Sequence, residues 1–151
     1  GRSVSDACTS RSDRGATMTA RKDLLKEPIL PNKGAAGVKI GARAQAVKGL
    51  WDEPLEIEQI RPDFVRWSYQ SVSFWFKAGR IDQIAVYAGY EGRTRERVGI
   101  GSRRVEVEEA YGPLEWDGCW LINRPPFGIG FDLGGPPLGS QRVTGVYVFQ
   151  E

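Results

Sequence analysis

Residues 97–112, RVGIGSRRVEVEEAYG, place Gly99 and Gly101 just ahead of a helical pattern, as a phosphate-binding G-x-G-x-x-G turn would. That fingerprint works because glycines let the backbone close on a pyrophosphate at a helix N-terminus. It needs a strand before it, a third glycine and a parallel crossover after it. Arg104 stands where the third glycine belongs, and the segments that follow read as a meander of short strands. An earlier stretch, GVKIGARAQAVKGLWDEP at 37–54, has the same pattern with Lys39 in place of Gly99. Gly41 and Gly101 therefore read as tight backbone entries into two helices, not as phosphate cradles.

Other candidate chemistry meets similar limits. DGCW at 117–120 offers Cys119 as a nucleophile, but the chain has no histidine to draw off its proton. The same lack removes Ser-His-Asp triads and His-ligated zinc, and no CxxC is present. Glu106 and Glu109 share a helix face, and two carboxylates make a poor oxygen cage, so the EVEE run reads as solvated surface. Arg93, Arg95, Arg97, Arg103 and Arg104 form a basic cluster interleaved with Glu91 and Glu96. It reads as a solvated linker, with a phosphate or an acidic protein surface as the alternative. No cofactor, no metal and no catalytic residue are expected. The chain is not expected to be an enzyme.

The 151 residues, 26% charged and 40% hydrophobic, suit one ordinary domain. A net charge of +2 is too small to suggest nucleic acid, and the excess lies in residues 1–36, which hold seven Lys/Arg against four Asp/Glu. No apolar run approaches the ~20 residues of a membrane-spanning helix. Membrane attachment would need a lipid on Cys8, and the SVSDA ahead of it has no apolar core.

Residues 1–23 have no hydrophobic period and read as a disordered lead. Residues 24–37, punctuated by Pro28 and Pro31, read as an extended segment that docks on the domain. From residue 38 the chain repeats. Val38, Ile40, Gly41, Arg43 and Val47 answer to Val98, Ile100, Gly101, Arg103 and Val107, 60 positions on. Phe74 and Phe76 match Ile129 and Phe131, and Ile81, Ile84 and Val86 match Val143, Val146 and Val148. Each unit reads as a helix, closed by Pro54 or by Gly112-Pro113, followed by strands; Ser102 is the expected cap of the second helix. The strands are DFVRWSYQ, SVSFWF and IDQIAVYA in the first unit, and CWLIN, FGIGFDL and RVTGVYVFQ in the second. The expected class is α+β, with tandem αβββ repeats whose helices pack on one face of antiparallel sheet. The units run 37–92 and 93–151, behind a lead of 1–36, and are expected to fold as one cooperative domain.

Strand parity then selects a site. Phe74, Phe76, Ile84 and Val86 should face the helices, which turns Trp75, Tyr87, Tyr147 and Phe149 to the other side, with Arg66 at the rim. An exposed sheet face carrying such rings suits a protein interface. The alternative is that residues 24–36 or the other repeat cover these rings.

The motif V-x-I-G-x-R-x-x-x-V, a helix ending near proline and F-x-F strands resemble the SmpA/OmlA type of bacterial envelope module over residues 37–151. Two in tandem resemble the β-lactamase inhibitory protein family, whose paired units present a sheet to a partner protein. The resemblance implies a protein partner, an inhibitor- or envelope-assembly-like role, and a bacterial envelope or secreted setting. The alternative function is a small-ligand or lipid carrier using the groove between repeats.

Overall fold

The structure, a computed structural model, describes residues 23–118, 121–123, 127–134 and 141–150. The expected disordered lead, except Asp23, and both cysteines lie outside these residues. A turn of 3-10 helix at Leu24–Lys26 leads into β1 (Gly34–Ala35) and β2 (Val38–Lys39), a two-stranded hairpin. Then come α1 (Ala44–Trp51), β3 (Glu56–Arg61), β4 (Phe64–Tyr69), β5 (Val72–Lys77) and β6 (Arg80–Val86). The second half has α2 (Arg104–Tyr111), β7 (Leu114–Trp116), β8 (Leu121–Asn123), β9 (Ile129–Gly134) and β10 (Arg142–Phe149).

This corrects the expected fold class. Instead of tandem αβββ units with helices packed on one face, one antiparallel sheet of eight strands dominates, ordered β3-β4-β5-β6-β10-β9-β8-β7. Each half supplies four strands, and β6 pairs with β10 to join them, Val86 facing Val146 and Ile84 facing Val148. The helices are two turns each. α1 buries only Val47 and Trp51, and α2 only Val107. The lead covers much of what longer helices would cover: Ile29 and Ala36 are fully buried in the same cluster as Phe74, and β1 lies against β6 and β10.

Both glycine turns dock the chain on the sheet in the same way. The Gly41 N–H donates to the Ile81 carbonyl and the Ile81 N–H to Ala42; Gly101, Val143 and Ser102 repeat the exchange. Arg80 and Arg142 cap these turns through the carbonyls of Gly41 and Gly101, at 3.1 and 3.0 Å. Both glycines sit at positive φ, 93° and 90°, with open space where a Cβ would stand, so the requirement is conformational and no ligand is implied. Register shifts the matching of the upstream strands. Phe74 faces Ile84 and Phe131 faces Val146, which makes Phe131, rather than Ile129, the counterpart of Phe74.

The second helix starts one residue later than expected. Arg103 is its N-cap and donates its N–H to the Glu106 carboxylate at 2.7 Å, half of a capping box, which holds that carboxyl below its usual range. Ser102 instead accepts from the Gly99 N–H and from Arg93, both at 3.0 Å, and so ties the turn together. Arg104 reaches Glu108 and Gln141. Most of the basic cluster is thus engaged locally.

Tyr90 pins the lead to the sheet. Its hydroxyl accepts from the buried Ala36 N–H at 2.9 Å and donates to the Glu27 carbonyl at 2.5 Å. Tyr90→Phe should lower stability near neutral pH by about 1–3 kcal/mol, because Ala36 loses a buried acceptor. Burial also pushes the phenol up to about 12, so the folded chain holds this proton more tightly than the unfolded chain does. The contribution is fully present below the ordinary tyrosine range near 10 and fades as the pH rises toward 12. Denaturant melts across that interval should show a fall in stability that is shallower in Tyr90→Phe. Identical slopes would contradict the role.

Candidate functional site

Parity places Trp75, Tyr87, Tyr147, Phe149 and Arg66 together, on the face of the sheet opposite Phe74, Ile84 and Val146. It does not leave them exposed. Trp75 and Tyr147 are completely buried, and Tyr87 and Phe149 nearly so, in a second cluster with Phe64, Ala85 and Ile122; Arg66 is buried as well. The Tyr87 and Tyr147 rings meet edge to face with centroids 6.3 Å apart, and the Tyr147 hydroxyl donates to Asp132 Oδ2 at 2.5 Å. The expected open aromatic face is therefore an interior layer. Joining the halves through β6 and β10 sets Tyr147 opposite Ala85, where its ring meets Tyr87, and sets Phe149 opposite Gln83, the cross-strand neighbour of Trp75.

Arg66 is likewise not a rim residue. It stands opposite Trp75 in β5 and opposite Glu58 in β3, with its side chain only 3% exposed. Its guanidinium lies 2.8 Å from Glu58 and 3.6 Å from Glu56, whose side chains are 45% and 44% exposed. A buried cation thus sits behind two carboxylates that reach solvent on β3.

That strand is what the sequence reading passed over. LEIEQIR at 55–61, between Pro54 and Pro62, alternates apolar and acidic residues over 55–58, a usable strand signal until Gln59 and Ile60 interrupt it. β3 is one edge of the sheet, and it is exposed along nearly its whole length. On the helix face, Ile57 is 57% exposed opposite the partly buried Trp67, whose ring packs on Phe76 at 4.7 Å and lies beneath Lys48 at 5.7 Å. On the other face stand Glu56 and Glu58. The ladder slips at Ile60, and beyond the slip Arg61 stacks over Phe64 at 5.5 Å. The opposite edge, β7, is only three residues long, with Trp116 63% exposed. Short strands and bulges are common protections for sheet edges; β3 has four regular residues ahead of its bulge.

Among the described residues, no three acidic or thiol side chains come together as metal ligands. No described helix is long and apolar enough to cross a membrane.

No protein-family model matches the chain. No curated protein matches it either. Among solved structures, it is similar to the uncharacterized protein YfeY from Escherichia coli, with a TM-score of 0.57 and 12% identity over 80% of this chain and 99% of that one. It is also similar to a cysteine-rich secretory protein from Staphylococcus aureus, with a TM-score of 0.53 and 10% identity over 83% of this chain. There it spans 47%, about half, of the other protein. At such identities the likeness is one of fold alone.

Proposed function

We propose that this chain is a non-enzymatic binding module that takes up an extended segment of a partner protein along the β3 edge. The observation that carries this reading is the exposed edge strand itself. It has a regular stretch from Glu56 to Gln59, and Ile57 offers an apolar contact beside Trp67. An added strand gains affinity from main-chain hydrogen bonds and specificity from its alternate side chains. The buried aromatic face supports the reading as scaffold: its rings lie in the interior, and the Arg66 ion pair links β4 to Glu58 of the edge strand.

Selection of a random peptide library against the immobilised chain tests this. Enriched peptides should lose at least tenfold in affinity for Ile57→Arg, a change at an exposed position that leaves the core untouched. Enrichment that is indifferent to Ile57→Arg would contradict the edge as the site.

A further inference from the structure

We infer that the strand accepted by β3 is one whose residues alternate between basic and apolar side chains, paired antiparallel to it. This rests on the strand-addition reading above and names its chemistry. Directly opposed residues of an antiparallel pair point to the same face. The partner residues opposite Glu56 and Glu58 therefore stand on the carboxylate side, and the residue opposite Ile57 stands on the side of Trp67. Cross-strand pairs of opposite charge stabilise a sheet, like charges oppose it, and aliphatic side chains reward an apolar neighbour. Arg66, 2.8 Å behind Glu58, fixes that carboxylate in place while nearly half of its side chain stays open to solvent. A lysine or arginine on the added strand meets a pre-positioned acceptor.

A second copy of this chain fits the edge poorly. Antiparallel self-pairing centred on Glu58 sets Glu58 against its own copy, and centring on Ile57 sets Glu56 against Glu58. Centring on Gln59 runs the pairing into the slip at Ile60 and into Pro62, which has no N–H to give. The charge pattern thus favours a foreign basic strand over self-association.

Three end-capped, fluorescein-labelled peptides test the assignment by polarisation with the full chain: alternating KIKIK, alternating EIEIE and the composition-matched KKIIK. KIKIK should bind at least tenfold more tightly than either of the others and weaken several-fold between 50 and 500 mM salt. Glu56→Gln should weaken KIKIK about threefold or more, and Ile57→Ser tenfold or more, with both variants checked for native circular dichroism. If EIEIE binds as tightly as KIKIK with the same dependence on Ile57, the basic preference is overturned while strand addition stands. If KKIIK matches KIKIK, the alternation is overturned and only charge attraction is left. If no peptide binds, both the inference and the strand-addition reading fail. A dimer in sedimentation equilibrium that Ile57→Ser abolishes would make a second copy the occupant and overturn the inference.

Discussion

Trp75→Ala should destabilise the chain by about 3–5 kcal/mol, the cost of emptying a large ring from a close-packed interior. Trp75 is fully buried between Arg66 of β4 and Gln83 of β6, its cross-strand neighbours, in the layer that also holds Tyr147 and Phe149. Trp116→Ala is the internal control. It removes the same side chain from an edge of the same sheet, but from a position 63% exposed, and should change stability by less than about 0.5 kcal/mol. Urea melts of the two variants read the contrast directly. A mild Trp75→Ala would mean that the ring is a surface group and would restore the aromatic face as the candidate interface.

The second large effect is an asymmetry within one ion pair. Glu58→Gln should cost about 2–3 kcal/mol, because a guanidinium taken out of water loses its nearest carboxylate. Arg66→Met should cost about 1 kcal/mol or less: the thioether chain refills the space, and Glu56 and Glu58 are open enough for water to solvate them. The order matters more than either value. Equal losses, or a larger loss for Arg66→Met, would contradict a buried cation held by two half-exposed acids.

The sequence revealed the centre of this fold better than its edges. β5, β6, β9 and β10 are built from aromatic and β-branched residues whose alternation marks both strand and face, and the structure keeps the face assignments of Phe74, Ile84, Val146 and Val148. The edges were harder. β3 has charged residues at half its positions and a bulge that breaks its alternation, and β7 has three residues. Missing these two strands turned four-stranded halves into three-stranded ones. It also overstated the helices, which supply less of the first face's cover than expected because Ile29, Ala35 and Ala36 from the lead share it.

The aromatic layer was legible in its geometry but not in its burial, and the place of β3 at the sheet edge was not legible at all. Parity depends only on neighbours along a strand, so it grouped Trp75, Tyr87, Tyr147 and Phe149 correctly. Burial depends on how the two halves join, and a pairing such as Tyr147 against Ala85 across β10 and β6 leaves no local trace. Arg66 shows the same limit. Its position on the strand was readable, while the Glu58 opposite it lay in a strand that had not been read.

The claim that this protein offers its sheet edge rather than its aromatic face is tested most directly by residue-resolved hydrogen exchange, with and without a peptide selected on the chain. New protection is expected in those amides of residues 56–59 that face away from β4, while those of β5, β6 and β10, already paired on both sides, should keep the slow exchange they have in the free protein. Protection gained in residues 83–87 and 147–149, with β3 unchanged, would contradict the account and place the partner on the aromatic layer.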